Sequence, residues 1–354
     1  MSAVFSPLKL RSLEIPHRLW VSPMCQYSAK EGMVQEWHHV HLGAFAVGRA
    51  GLILTEATAV TVEGRISPED AGIWNDSQAE AWAPIVDFSH RQGVPMGIQL
   101  SHAGRKAATR APFHGGPISL GSDEGAWPTL SASALRFGDL PVPHGMTLSE
   151  IDSVVGAFSD AAFRSVRAGF DVIEIHAAHG YLLHQFLSPL SNYRDDQYGG
   201  SFVNRIRLTL DVARAVRQVI PESMPLFVRL SATDWIPGGW NIEQSVELSL
   251  ALQSEGVDLL DVSSGGIRPD QAVPLGPGYQ VPFSREIARA VNIPTAAVGL
   301  IADSFHAEKV LQDGDAQAIL MGRQFLRDPR FSLRAAQELG VESQWPTQYL
   351  RARL

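Results

Sequence analysis

Phe170-Asp171-Val172-Ile173-Glu174-Ile175-His176 is a short, mostly apolar run, and Ala177-Ala178-His179-Gly180-Tyr181 follows it directly. A run of this length, rich in β-branched residues, reads as a strand buried on both faces. Seven similar runs occur, at residues 19–22, 52–57, 96–100, 226–230, 259–263, 295–298 and 318–321. Stretches of helical period separate them. Residues 201–220 repeat through Ile206, Leu210, Ala213 and Val216. Asn241 is placed to cap a helix reaching Glu255, and Thr147 with Glu150 has the spacing of a capping box opening a helix to Ala168.

Strands alternating with helices define the α/β class and a parallel sheet. Eight of them form either a closed barrel or a long doubly wound sheet. No Gly-x-Gly-x-x-Gly follows the first strand, and no low-complexity linker divides the chain, which favours the barrel. The expected fold is a (β/α)8 TIM barrel forming a single domain over residues 1–354, a length such barrels reach. Residues 5–15 are expected as an N-terminal hairpin under the barrel floor. The polar, Gly/Pro-rich stretch 110–145 is expected as a long excursion after strand 3, on the catalytic face.

The 29 basic and 37 acidic side chains give a net charge of −8. That balance argues against nucleic acid or an anionic membrane as partner, since both select basic patches. One cysteine, Cys25, permits no intrachain disulfide and no cysteine-ligated zinc or iron–sulfur cluster. With no signal-peptide-like start and no 18-residue apolar run, the expectation is a cytoplasmic protein.

Barrel active sites sit at the C-terminal ends of strands, so the polar residues there carry the functional reading. His176 and His179, three apart past a strand, can aim two N–H donors at one oxygen and stabilise charge growing on it. Tyr181 is close enough to deliver a proton. The alternative is a metal pair or two packing histidines. Gly299 and Gly322-Arg323 follow strands 7 and 8, where barrels bind phosphate through backbone N–H groups, with Arg323 as a bidentate fork. Two tight turns and a surface arginine are the plainer reading. Arg229 interrupts an apolar strand and needs an anion, either a ligand or a carboxylate such as Asp234. Cys25 is a small buried hydrophobe or a thiol beside a cofactor. Trp37-His38-His39-Val40-His41 reads as helical and structural.

Together these segments resemble the Old Yellow Enzyme family of FMN-dependent ene-reductases, in its bacterial, thermophilic-like branch. The pieces that match are Ser22-Pro23-Met24-Cys25-Gln26-Tyr27, Glu56-Ala57, residues 98–106 (IQLSHAGRK), His176 to Tyr181, residues 191–194 through 199–201, Val228-Arg229, Ala297-Val298-Gly299 and Gly322-Arg323. They run in family order over nearly the whole chain. The resemblance implies that Ser22, Pro23, Met24, Ala57 and Gln99 line the flavin of FMN and that Cys25 contacts it near N5 and O4. It implies that Arg229 faces N1 and O2, and that Gly299, Leu300, Gly322 and Arg323 hold the phosphate. His176 and His179 would bind the substrate oxygen, Tyr181 would donate the proton, and Tyr27 would wall the pocket. The implied reaction is ping-pong reduction of activated C=C bonds in small enone-type substrates (α,β-unsaturated aldehydes and ketones, maleimides, nitroalkenes), with NADPH or NADH as hydride donor. No metal is implied. The branch also implies a homodimer or homotetramer in which an arginine of the tail 340–354, Arg351 by position, reaches a neighbouring site. Readings from other classes are a metal-dependent barrel hydrolase using His176, His179 and His102, and a non-catalytic barrel that binds a phosphate ligand.

Overall fold

The structure, a computed structural model, describes residues 2–116 and 118–353. Met1 and Leu354 of the expected span, and Pro117 of the expected excursion, lie outside the described residues. Strands β1 (Leu8–Leu10) and β2 (Leu13–Ile15) form an antiparallel hairpin, and β3 (Leu19–Val21) enters the barrel. Then follow α1 (Glu36–Val47), β4 (Leu52–Ala59), α2 (Asp76–Arg91) and β5 (Met96–Ser101). Among its described residues the excursion carries two short 3-10 turns (Pro112–His114 and Ser122–Glu124) and the two-residue strands β6 (Leu130–Ser131) and β7 (His144–Gly145), before α3 (Leu148–Arg167). The chain resumes with β8 (Val172–Ala177), α4 (Leu182–Leu187), α5 (Phe202–Val219), β9 (Leu226–Ser231), α6 (Ile242–Ser254) and β10 (Leu259–Ser263). It ends with α7 (Val281–Ala290), β11 (Thr295–Ala297), α8 (Ser304–Gln312), β12 (Ala318–Met321), α9 (Arg323–Arg327) and α10 (Phe331–Glu338).

Strands β3, β4, β5, β8, β9, β10, β11 and β12 pair in that order, and β12 closes on β3 in a parallel barrel. The expected fold is therefore the observed one, with small shifts at strand ends. β4 runs two residues further than its apolar core suggests, because Ala59 exchanges backbone hydrogen bonds with residues 71 and 73. The run at 170–176 starts pairing only at Val172, since Phe170 N–H is still bonded to the end of α3 through Ser165. The helix caps form as spaced. Thr147 and Glu150 make the capping box of α3, and Asn241 accepts from Gln244 N–H to open α6.

Inside the barrel, alternate residues of each strand stack in layers. The lowest layers are apolar: Trp20, Leu54, Val172, Phe227, Leu259 and Leu320, sealed below by Leu10 and Ile15 of the hairpin. The small Ala296 and Ala318 of β11 and β12 leave room for the Trp20 and Phe227 rings, stacked at 5.9 Å. Outward residues such as Ile173, Ile175, Val228, Leu230, Leu260 and Val262 join the core between barrel and helices. Two steps above the floor the inward positions become polar: Gln99, Glu174, Arg229 and Asp261, all buried. The fold thus has a dry bottom and a charged top, and the site is built on the charged top. No helix among the described residues is long and apolar enough to cross a membrane.

Candidate active site

Strand register sets the polar layer. Gln99 faces Glu174 across β5 and β8, His176 faces Arg229 across β8 and β9, and Arg229 faces Asp261 across β9 and β10. Gln99 Nε2 donates to Glu174 Oε1 at 2.8 Å. Arg229 Nη1 donates to Ser22 Oγ at 3.2 Å, which ties β9 to the end of β3. Arg229 Nε lies 3.1 Å from Asp261 Oδ2, an ion pair buried on both sides whose N–H is not aimed along the contact. The carboxylate partner of Arg229 is therefore Asp261, not Asp234. Asp234 instead accepts from Ser188 and Trp240 and lies 2.9 Å from His184 Nε2. Burial, reinforced by the Asp261 charge, raises the Glu174 carboxyl far above its ordinary range. Burial also raises Asp261, against the pull of Arg229.

Above this layer stand the two imidazoles. His176 and His179 have ring centroids 5.0 Å apart, nearly perpendicular, with His179 Nδ1 3.4 Å from His176 Nε2. The Tyr181 ring lies 5.1 Å from His176. His179 takes a positive φ of 58°, unusual for a non-glycine residue. Three contacts hold it there: its N–H donates to Ser231 Oγ (2.9 Å), its carbonyl accepts from Lys106 Nζ (2.9 Å), and its Nε2 lies 2.7 Å from Ser263 Oγ. Next to it, the backbones of Gly180 and Gly266 press together. A Cβ on Gly180 would sit 2.0 Å from the Gly266 carbonyl oxygen, and one on Gly266 would sit 2.5 Å from His179 Cα. Burial first, and the Arg229 charge second, hold both imidazoles well below the usual histidine range. Both are neutral at pH 7, each with one N–H to donate.

Cys25 and Tyr27 line the other flank of this spot. Tyr27 also adopts a positive φ, and its ring meets Phe113 of the excursion edge-on at 6.1 Å. Burial and the nearby Asp70 and Glu56 charges push the Cys25 thiol up, so it is a thiol and not a thiolate. The Tyr181 phenol is likewise raised by burial and holds its proton at neutral pH. Glu56 accepts from Gln26 N–H and pairs with His38 of α1, so the Trp37–His41 stretch is helical and supports the β3 end from behind.

A cavity of about 360 Å³ opens beside Arg229 toward the ends of β11 and β12. Ser22, Pro23 and Met24 form one wall, and Gly299, Leu300, Gly322 and Arg323 line the far end. Gly299 has φ 125°, and a Cβ there would meet Gln280 Nε2 at 3.0 Å. A Cβ on Gly322 would meet Met24 Sδ at 3.2 Å. Glycine leaves this cradle open without displacing Gln280 or Met24, and Arg323 brings positive charge to its end. Eight of the cofactor residues expected from sequence border this one cavity. Cys25, Ala57 and Gln99 lie at neighbouring strand ends, with Ala57 and Gln99 paired in register. The shape and charge suit a flat heterocycle above Arg229 with its phosphate between Gly299 and Gly322.

Lys106, Ser263, Gln280, Glu174 and Asp261 belong to the site as well, and reading the sequence did not single them out. The inward alternation of β8 and β10 would have pointed to Glu174, Asp261 and Ser263. The tail arginines separate. Arg353 pairs with Glu342, while Arg351 is exposed and among the described residues makes no ion pair. His102 turns its Nδ1 to Gly104 N–H, and no three His, Cys, Asp or Glu side chains among the described residues are grouped to hold a metal.

A parallel barrel with a neutral imidazole pair beside a cavity ended by two glycines and an arginine fits a flavin oxidoreductase. The chain belongs to the NADH:flavin oxidoreductase / NADH oxidase family, whose model matches residues 3–342. Its cofactor is FMN and its reductant a nicotinamide nucleotide. The chain is 46% identical over 357 residues to an NADH:flavin oxidoreductase of Gibberella zeae, covering 96% of this chain and 86% of that one. It is 45% identical over 353 residues to an NADPH dehydrogenase of Geobacillus thermodenitrificans, covering 99% and 98%. Among solved structures, the old yellow enzyme homologue from Zymomonas mobilis matches with a TM-score of 0.80 at 27% identity, covering 99% of this chain and 98% of that one. The hydrolase and non-catalytic readings give way to this assignment.

Proposed function

We propose that this chain is an ene-reductase that reduces the activated C=C bond of α,β-unsaturated aldehydes, ketones, maleimides or nitroalkenes at the expense of NADPH or NADH. Ser22, Pro23, Met24, Cys25, Ala57, Gln99 and Arg229 hold the FMN ring, and Gly299, Leu300, Gly322 and Arg323 hold its phosphate. Bound FMN supplies the hydride chemistry.

The observation that carries the reading is the 3.4 Å approach of His176 Nε2 and His179 Nδ1 beside the Tyr181 ring. Neutral imidazoles so close serve one acceptor together when both nitrogens carry hydrogen. His176 Nδ1 has no partner, so the proton of that ring is free to sit on Nε2. With Ser263 Oγ–H turned from Gln280 Oε1 (3.2 Å) to His179 Nε2 (2.7 Å), the His179 proton sits on Nδ1. Both N–H groups then point at a substrate oxygen and stabilise the charge that develops on it. Tyr181, still protonated, stands on the same side to protonate the α-carbon. Tyr27 bounds the pocket. We further place Arg351 as the residue that reaches a neighbouring subunit in a homodimer or homotetramer, and place the enzyme in the cytoplasm.

Half-reactions observed separately on the FMN-loaded protein test this. His179→Ala is expected to weaken binding of phenol-like ligands and slow enone reduction about 100-fold, the scale of losing an oxyanion donor, with a smaller effect on reduction by NADPH. Tyr181→Phe is expected to slow only the oxidative half-reaction. If His179→Ala leaves enone reduction unchanged, the imidazole pair does not anchor the substrate.

A further inference from the structure

The peptide unit between His179 and Gly180 is gripped at both ends. Its oxygen accepts from Lys106 Nζ at 2.9 Å, and its N–H donates to His184 Nδ1 at 2.9 Å. The next carbonyl, that of Gly180, accepts from Gln185 Nε2 at 2.7 Å. His184 and Gln185 both sit on α4, the helix that Tyr181 opens as its N-cap residue. The rest of α4 is Leu182, Leu183, Phe186 and Leu187, all buried. A polar side chain in so apolar a segment costs stability unless its hydrogen bonds are met. Gly180 has φ 73° and, as a glycine, a wide choice of conformations, so the backbone between His179 and Tyr181 is selected by these outside partners.

His184 is fully buried, and so is Asp234, whose Oδ1 lies 2.9 Å from His184 Nε2. Asp234 is anchored after β9, where its Oδ2 accepts from Ser188 Oγ (2.6 Å) and Trp240 N–H (2.7 Å). Because His184 Nδ1 is an acceptor, the ring proton is on Nε2, on the side of the carboxylate. That N–H is not aimed along the contact, whereas the Gly180 N–H is well directed at Nδ1. The imidazole plane therefore follows Gly180, and Asp234 fixes the tautomer from behind. Among the described residues no second acceptor meets the Gly180 N–H.

We propose that His184, braced by Asp234, is a positioning residue for the reaction: by holding the Gly180 N–H it sets the His179–Gly180 peptide, and with it the aim of the His179 N–H and of the Tyr181 phenol on either side. The inference rests on the reading above, in which those two side chains meet the substrate. His184 itself acts only through the backbone. A packing role would need just the volume of the imidazole. A positioning role needs an acceptor at the place of Nδ1, so the two roles differ in which replacement is tolerated.

His184→Asn and His184→Gln on the FMN-loaded enzyme separate the two. Asparagine places its Oδ1 near the position of Nδ1 and accepts from Gly180, but does not reach Asp234. Glutamine overlays its Nε2 on that of histidine, faces Asp234, and leaves the Gly180 N–H unmet. Each variant loses one contact, so both should melt below wild type. Only His184→Gln should weaken phenol binding, by about tenfold or more, the scale of a buried N–H left without an acceptor, and slow the enone half-reaction alongside, with FMN content unchanged by absorbance. His184→Asn should bind phenol within about threefold of wild type, since its acceptor is kept. The ring nitrogen NMR shifts of His176 and His179 should move in His184→Gln and hold in His184→Asn, whether or not an enone is turned over. Equal losses in the two variants, or unmoved His179 shifts in His184→Gln, overturn the proposal. Should His184→Gln not fold, His184→Asn decides: phenol binding and shifts kept despite a lower Tm support the proposal, and their loss overturns it. A wild-type enzyme that reduces no enone would strike the ene-reductase reading and leave the shift comparison standing.

Discussion

Replacing Arg229 with Met probes the charged layer directly. The side chain is 7% exposed and Asp261, 3.1 Å away, is fully buried. Met keeps the volume but leaves Asp261 as an uncompensated charge in the barrel. Losing one partner of a buried pair costs about 3–5 kcal/mol, or roughly 4–7 °C in Tm for a chain of this size. The loss must depend on pH. In wild type, burial already raises the Asp261 carboxyl to about 6 while Arg229 pulls it down; without Arg229 it rises further. A carboxyl raised in the folded state contributes stability at low pH and loses it as pH climbs through the folded value. Near pH 5 Asp261 is protonated and Arg229→Met should unfold close to wild type, while at pH 8 the gap should be widest. Thermal unfolding of the FMN-free protein by circular dichroism at both pH values measures this, and Asp261→Asn added to the variant should close most of the gap at pH 8. On the proposed placement of FMN over Arg229, the same variant also loses a donor to the reduced, anionic ring. At about 1.5–3 kcal/mol for a charged hydrogen bond, the two-electron potential of bound FMN should fall by roughly 30–65 mV. Equal melting of wild type and variant at pH 8, or a gap independent of pH, would refute the electrostatic account of this layer.

Two further outcomes follow from the backbone around His179. Gly266→Ala places a methyl 2.5 Å from His179 Cα at a φ of 100°, so it should displace the imidazole and weaken phenol binding at least tenfold while FMN content holds, as read by ligand titration. Lys106 is lowered to about 8 by burial and by Arg105, so its grip on the His179 and Gly266 carbonyls should weaken as pH rises through that value. A basic limb near pH 8 in phenol binding is expected, and Lys106→Met should remove it.

The barrel itself was legible because a parallel strand covered on both faces must be apolar nearly throughout, and eight such runs alternate with helical stretches. The Thr147–Glu150 and Asn241 caps were legible for a related reason: a cap is satisfied by residues two or three positions away, so sequence distance and spatial distance coincide. The strand-end motifs from Ser22 to Arg323 could be assembled because barrels collect their strand ends at one rim. Partner choice was not local. Asp261 meets Arg229 only through the register of β9 and β10, whereas Asp234, five residues from Arg229 in sequence, turns to His184. The left-handed His179, the Gly180–Gly266 contact and the Ser263 bond arise where two loops from different strands close on each other, and no spacing along one segment encodes them. Secondary structure and the roster of polar rim residues follow from the chain's own periodicity. Which charge faces which, and hence which groups titrate and which donors stay free, is decided only when the closed barrel puts distant strands side by side in a medium that screens charge poorly.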